Sequence, residues 1–234
     1  MNEIDGKAVT AAPAPAPPRA WIMFSSGRRI DLLHPSPQAW QDEDLAIGLS
    51  RTYRWGGHSS WELPLSVAQH SLSVLAIREE LSPAPLTAIE KLRELLHDGT
   101  EFLIGGWDPL FPIKQFMGAD LTEIFRRLQT ALNQRYELPG WTVESHRLHK
   151  AADHLAAASE AFHVVGWRKP AIRKTLGITL APLEVDPLMA MTDLRAWEPW
   201  PAYMAANLFL SKLQALQAEA QSEAAGFGSC DAAE

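Results

Sequence analysis

Apolar side chains recur at helical spacing along most of the chain, and strand-like alternation is rare. Ser36-Pro37 predicts the start of a helix that continues to about Thr52, because proline is favoured in the first turn. Ser66-Val-Ala-Gln69 is a capping-box pattern and predicts a second helix. Apolar stripes predict four more helices: from about Leu86, around Leu121 to Leu132, after the cap residue Thr142, and over about 202–217.

The segment between Trp21 and Leu33 predicts one short hairpin around Ser25-Ser-Gly27. We therefore expect an all-α helical bundle over residues 21–217 with one short N-terminal β-hairpin. Residues 1–20 contain the stretch TAAPAPAPPRA, which predicts a disordered arm because proline removes donors and favours extended chain. Residues 218–234 are rich in Ala, Glu and Ser and predict a flexible C-terminal tail.

Composition narrows the classes of function. The 234 residues include 21 Lys and Arg against 28 Asp and Glu, so the net charge is −7 and a polynucleotide-binding protein is not expected. No apolar run reaches the roughly 18 residues that a membrane span needs, and no signal peptide is predicted. The single cysteine, Cys230, excludes an intramolecular disulfide and fits a reducing compartment. We expect a cytoplasmic protein with a small-molecule partner.

Four residues from three segments are candidates for a metal site. His70 lies on the apolar stripe of the second predicted helix, and His97-Asp98 follows the apolar pair Leu95-Leu96. Asp153 lies in the Thr142 helix beside an apolar stripe, where an isolated charge needs a partner. Two imidazoles and two carboxylates suit a divalent first-row metal or magnesium, with positions left for water and substrate.

Other interpretations of these residues stay open at this point. A single histidine on an apolar stripe is more often a hydrogen-bonded core residue than a ligand. In addition, His146, His149 and Asp153 share one helix face and form a local alternative metal site. Spacing alone does not choose between the two sites.

Further side chains around these segments are candidates for catalysis and substrate binding. Glu101 follows His97 by four residues and can exchange a proton with a metal-bound water, or is a solvated glutamate at a helix end. In Arg54-Trp-Gly-Gly-His58, Arg54 suits a phosphate and Trp55 suits stacking on a base, or they are a surface arginine and a core tryptophan. In the Pro-rich loop after the His-Asp pair, Asp108 suits a sugar hydroxyl and Lys114 a phosphate.

These residues, in this order, resemble the HD-domain metal-dependent phosphohydrolases. The resemblance covers about residues 23 to 165 and is carried by SVAQHS at 66–71, LLHDGTE at 95–101, PIK at 112–114 and AAD at 151–153. Ser26-Gly-Arg-Arg-Ile-Asp31 and Arg54-Trp-Gly-Gly-His58 are similar to the bacterial and phage branch that includes the 5′-deoxynucleotidases. The loop from Ile104 to Asp108 is one residue longer than in those nucleotidases.

The resemblance implies an HD fold and one divalent metal ion bound by His70, His97, Asp98 and Asp153, rather than by His146 and His149. It implies that Glu101 is catalytic and acts on the attacking water. It places phosphate near Arg54 and Lys114, the base near Trp55, and the 3′ side of the deoxyribose near Asp108. His58 is the remaining candidate substrate contact.

Three functions follow as expectations. The first is a 5′-nucleotidase that releases phosphate from deoxynucleoside 5′-monophosphates. The second is a deoxynucleoside triphosphate triphosphohydrolase with the same metal centre, its pocket reshaped by His58 and the longer loop. The third is an inactive nucleotide-binding module. The donor set admits manganese, cobalt, zinc, iron or magnesium, and the resemblance implies a homodimer or higher homo-oligomer.

Overall fold

The computed structural model describes residues 20–104 and 118–230. Seven α-helices carry most of these residues: α1 Asp42–Arg51, α2 Val67–Leu81, α3 Ala88–Leu95, α4 Ala119–Arg135, α5 Val143–His163, α6 Lys169–Leu176 and α7 Ala202–Cys230. Strands β1 Trp21–Met23 and β2 Arg29–Asp31 pair antiparallel, with Ile22 opposite Ile30. Single 3-10 segments lie at Arg54–Gly57, Gly99–Ile104 and Met189–Met191. The predicted all-α class with one short hairpin is confirmed.

The helix starts follow their capping residues. The Ser66 hydroxyl accepts a hydrogen bond from the Gln69 N–H at the start of α2, which is one half of the predicted capping box. The other half is not formed, because the Gln69 amide bonds to the backbone of Glu198 and Trp200. The predicted start of the first helix at Ser36-Pro37 is wrong, because α1 begins only at Asp42. The Gln41 N–H donates to the Asp44 carboxylate there, and the acidic first turn complements the helix dipole.

The C-terminal part of the chain differs from the prediction in two ways. Helix α6 was not predicted from the sequence. Helix α7 continues to Cys230 instead of ending at 217, so the segment assigned to a flexible tail is helical as far as that residue. Its extension contacts α3, where the Lys91 ammonium lies 3.1 Å from Glu219 and the Ala88 N–H donates to Glu223.

The core lies between α7 and the helices that pack on it, α1, α2 and α3. Trp40, Leu45, Leu95 and Phe209 are completely buried in it. No helix in the described ranges has the length and apolar character needed to cross a membrane.

A second, smaller contact joins α2 to α5 and positions the candidate metal site. Val74 and Ile77 of α2 pack against Ala152 and Ala156 of α5. Because the alanines are small, the two helices approach closely. This close approach places His70, one turn before Val74, opposite Asp153.

The His-Asp pair lies in the turn between α3 and the 3-10 segment Gly99–Ile104. A close approach to α1 fixes this segment, since a Cβ atom added at Gly48 would lie 2.6 Å from Cβ of Phe102. Glycine at position 48 is therefore required for α1 to pack against the segment that follows Asp98.

Candidate metal centre

The structure brings three of the four predicted ligands, His70, His97 and Asp153, into one grouping that fits a metal ion. Asp98 is not part of that grouping but lies beside it, in contact with both histidines. The Nε2 atoms of His70 and His97 lie 3.3 Å apart. Oδ2 of Asp98 lies 3.6 Å from Nε2 of His70 and 3.2 Å from Nε2 of His97. Oδ1 of Asp153 lies 3.6 Å from Nε2 of His70. The ligand atoms of His70, His97 and Asp153 all lie within 4.8 Å of one another, so distant stretches of chain meet at one point.

Both histidines point their Nε2 atoms at this point because their Nδ1 atoms are held elsewhere. Nδ1 of His70 lies 2.5 Å from Oε1 of Glu160, and Nδ1 of His97 lies 2.8 Å from the backbone oxygen of Glu94. Each of these oxygens only accepts hydrogen bonds, so each Nδ1 is the donor. When both imidazoles are neutral, their Nε2 lone pairs are therefore directed toward each other and toward the carboxylates.

This donor set fits a divalent cation. Ligand atoms about 2.0–2.1 Å from a shared ion in a tetrahedral arrangement lie about 3.3 Å from one another. The separations of His70 from the other three side chains, and of His97 from Asp98, are close to this value at 3.2 to 3.6 Å. Without a metal, a proton on His70 separates these acceptors, because the pKa of His70 is raised to about 9; a metal ion takes the place of that proton. A histidine that donates its other ring nitrogen to a carboxylate or carbonyl is the usual arrangement at metal sites.

Charges around the site stabilise the acceptor forms of the carboxylates. Burial opposes ionisation, but the neighbouring histidines outweigh it and hold the pKa of Asp98 and Asp153 well below the usual range. For Glu160, burial is outweighed by Arg54 and His70, which lower its pKa to about 2. Burial and Arg54 lower the pKa of His70, but Glu160 and Asp153 outweigh them and raise it to about 9.

Glu160 organises the buried side chains behind the site. Its Oε2 atom accepts hydrogen bonds from Nε of Arg54 at 2.9 Å and from Nε1 of Trp55 at 3.2 Å. The Arg54 guanidinium extends from there toward the candidate ligands, with Nη1 3.7 Å from Oδ2 of Asp98. Trp55 is buried, adopts φ 59° and packs edge-on against Trp167 with ring centroids 5.6 Å apart.

Sequence reasoning missed Glu160, although a signal was present. Glu160 follows Asp153 by seven residues and lies on the same face of α5. Its neighbours Ala158, Ser159 and Ala161 are buried, so the argument that a carboxylate in an apolar helix face needs a partner applies to it as well.

The other predicted site residues differ in their exposure and in whether the structure describes them. Glu101 is buried in the 3-10 segment, and its backbone N–H donates to the Asp98 carbonyl. His58 is exposed at the end of the Arg54–Gly57 segment. Asp108 and Lys114 lie outside the described residues.

The alternative site on α5 is not assembled in the described part of the chain. The grouping that fits a metal contains neither His146 nor His149. His146 is exposed, whereas Nδ1 of His149 lies 2.7 Å from the buried carboxylate of Glu94. Burial lowers the pKa of His149, although Glu94 acts in the opposite direction.

A bacterial protein is similar to this chain over about two thirds of its length. No family model matches the chain. Over 160 residues, which make up 68% of this chain and 80% of the other, the sequence is 35% identical to the uncharacterized protein RCAP_rcc00048 of Rhodobacter capsulatus. That name states no activity, so the match carries no reaction to this chain.

Proposed function

We propose that this chain, which belongs to the same family as the uncharacterized protein of Rhodobacter capsulatus, is a metal-dependent phosphohydrolase that acts on nucleotides. Its best-supported reaction is the release of phosphate from deoxynucleoside 5′-monophosphates. The observation that carries the proposal is the convergence of His70, His97, Asp98 and Asp153, with Nε2–Nε2 and Nε2–Oδ spacings of 3.2 to 3.6 Å. The proposal is also supported by the resemblance in residue order to the HD phosphohydrolases.

In this proposal the four side chains hold one divalent ion. Such an ion, when bound, polarises a phosphoryl oxygen and lowers the pKa of a water molecule toward neutrality. Glu101 is the group that takes the proton of the attacking water, because it is buried and lies one turn after Asp98. Arg54 holds the phosphoryl group, since its guanidinium lies within 3.7 Å of Asp98 and carries a permanent positive charge.

The remaining substrate contacts in this proposal follow from the resemblance. Asp108 meets the deoxyribose and Lys114 meets the phosphate. Trp55 lies near the base, and its burial and its bond to Glu160 also give it a structural role. His58 directly follows the Arg54–Gly57 segment and is exposed to solvent, so a ligand can contact it there.

The test is a phosphate-release assay with deoxynucleoside monophosphates and each of the five candidate metals. We expect release of phosphate and nucleoside with at least one metal, and loss of both metal retention and activity in Asp98→Ala. His34→Ala is the control, because the His34 side chain is 80% exposed. A chain that retains metal and releases no phosphate from any deoxynucleoside monophosphate contradicts the reaction.

A second candidate is hydrolysis of deoxynucleoside triphosphates at the same centre. The observation that favours it is a cavity beside His97 whose walls include Arg93 and Lys150, since positive side chains suit additional phosphates. Tripolyphosphate as the product from triphosphates, with no turnover of monophosphates, identifies this reaction. Tight nucleotide binding with no turnover in the presence of any of the five metals identifies an inactive binding module.

A further inference from the structure

A cavity of about 280 Å³ adjoins the candidate metal centre on the side of α5. Two of its lining residues also belong to the surroundings of that centre. His97 is one of the candidate ligands, and the Lys150 ammonium lies 3.0 Å from Oδ2 of Asp153. The cavity extends from these residues to Arg93, Trp141 and His146.

The walls of this cavity are positive or neutral. Arg93, Lys150 and three imidazoles line it, and none of the described lining residues is an aspartate or a glutamate. This is unusual in a chain whose net charge is −7. The side-chain amides of Gln129 and Asn133 also line the cavity, and Nε2 of Gln129 donates to Oδ1 of Asn133, which leaves the Asn133 NH₂ group as a further donor.

Arg93 has donor capacity that the described protein does not use. Its side chain is only 5% exposed. Nη1 donates to the Gly140 carbonyl at 3.1 Å, and the guanidinium lies over the Trp141 ring, 4.0 Å from its centroid. The buried Nε and Nη2 atoms have no hydrogen-bond acceptor among the described residues. Burial lowers the pKa of Arg93 although Glu94 and Glu90 act in the opposite direction.

Within the described ranges, this wall therefore offers a buried guanidinium with donors to spare and no carboxylate, which suits a tetrahedral oxyanion. We propose that the cavity beside His97 binds a phosphate group in addition to the one that reacts at the metal centre. This inference deepens the proposed function and rests on it. The phosphate is either part of the substrate's own phosphate chain or free inorganic phosphate.

The first experiment counts phosphate sites on the full chain loaded with Mg²⁺, by isothermal titration with inorganic phosphate. We expect two sites in the unchanged protein and one in Arg93→Gln and in His146→Glu. His146 is exposed at the cavity rim, so His146→Glu tests the inference even if Arg93→Gln fails to fold. Arg147→Gln and His34→Glu are the matched controls and should keep both sites, because their side chains are 65% and 80% exposed and lie outside the cavity.

Asp98→Ala separates this inference from the proposed function. It removes a candidate metal ligand that does not line the cavity. We expect the Asp98→Ala variant to keep one phosphate site and the double variant Asp98→Ala with His146→Glu to lose it. The cavity then binds phosphate whether or not the metal centre is active. The opposite result is a single phosphate site in the unchanged protein, which is lost in Asp98→Ala and kept in His146→Glu. That result overturns the inference and leaves the proposed function intact.

Kinetics then identify the source of the phosphate. If it belongs to the substrate, Arg93→Gln raises KM for a deoxynucleoside triphosphate by at least about tenfold, the usual effect of losing a hydrogen bond to a charged group, and leaves KM for the monophosphate unchanged. If it is free phosphate, Arg93→Gln and His146→Glu relieve inhibition by added phosphate and leave both KM values unchanged. A variant that changes neither KM nor inhibition overturns the inference.

Discussion

Nδ1 of His70 lies 2.5 Å from Oε1 of Glu160, two helical turns along α5 from Asp153. One helix face therefore supplies both a candidate metal ligand and the carboxylate that orients the histidine opposite it. The same carboxylate accepts hydrogen bonds from Arg54 and Trp55. The geometry of the candidate metal centre thus depends on a residue outside the candidate ligands.

Glu160→Gln should weaken metal binding about 10- to 100-fold, the usual cost of changing the partner of a metal-binding histidine. The amide keeps the shape but loses the charge, and its NH₂ group faces donors. It also leaves the Arg54 guanidinium buried beside an uncharged group, so we expect a loss of roughly 3 kcal/mol in the free energy of unfolding. Metal titration by calorimetry and denaturant unfolding measure the two effects.

Glu144→Gln is the matched control for this substitution. Glu144 lies on the same helix, and its side chain is 64% exposed in its pair with Arg147, so metal affinity should not change. Equal metal affinity in Glu160→Gln and Glu144→Gln would show that the contact between Glu160 and His70 does not orient a ligand.

Glu101→Gln should keep the metal and lose turnover. Proton transfer by a positioned side chain contributes about 10²- to 10⁴-fold to a rate, so kcat should fall by that factor while KM stays within a few-fold. Glu101 lies in the 3-10 segment one turn after Asp98 and is buried. Metal content by elemental analysis must equal that of the unchanged protein, and metal loss would assign Glu101 to the metal-binding residues instead.

The helical class could be predicted because its signals are local. The candidate ligands could not be chosen in this way, because spacing left the site on α5 equally open and only the resemblance favoured His70, His97, Asp98 and Asp153. The stripe that contains His70 and Val74 has helical spacing, and Ser66 caps its helix, although Gln69 does not complete the predicted capping box. The start of α1 could not be placed, because the pattern at Ser36-Pro37 competes with the acidic cap at Asp42–Asp44. The length of α7 depends on contacts between Glu223 and α3, which are distant in the sequence.

The surroundings of the site were harder to predict, because they depend on pairing between distant segments. Glu94 is completely buried and contacts both Arg78 and His149, but in the sequence it belongs to an ordinary charged helix. His149 was a candidate ligand because the sequence pattern relates it only to residues on its own helix. Its partner is 55 residues away in the chain.

In the metal-free protein, stability should decrease as the pH rises from about 6.5 to about 9. The pKa of His70 is raised from 6.5 to about 9 in the fold, so its contribution is fully present below 6.5 and is lost as the pH rises through 9. Glu160 acts at the other end: its pKa is lowered from 4.5 to about 2, and its contribution is lost as the pH falls through that range. A bound metal replaces the proton on His70, so the decrease above pH 6.5 should be absent from the metal-saturated chain.

The measurement for this pH dependence is the melting temperature between pH 5 and pH 9.5, recorded with chelator and with saturating metal. We expect the two curves to diverge above about pH 6.5, with the metal-saturated chain more stable. Parallel curves over the whole range would show that His70 does not exchange a proton for the metal.

Gly48→Ala tests whether the packing of α1 fixes the segment that carries Asp98 and Glu101. In a helix this substitution normally stabilises a protein by about 0.5–1 kcal/mol. Here the new Cβ would lie 2.6 Å from Cβ of Phe102, an atom that cannot rotate away, and overpacking of this kind costs about 1–3 kcal/mol. A destabilising effect would therefore show that this contact is tight, and a displaced 3-10 segment should weaken metal binding as well.

Gly226→Ala on α7 is the control, because nothing lies within 4 Å of its added Cβ, and it should be neutral or stabilising. If thermal unfolding shows that Gly48→Ala and Gly226→Ala stabilise the protein equally, the close approach of α1 to Phe102 does not hold this segment in place.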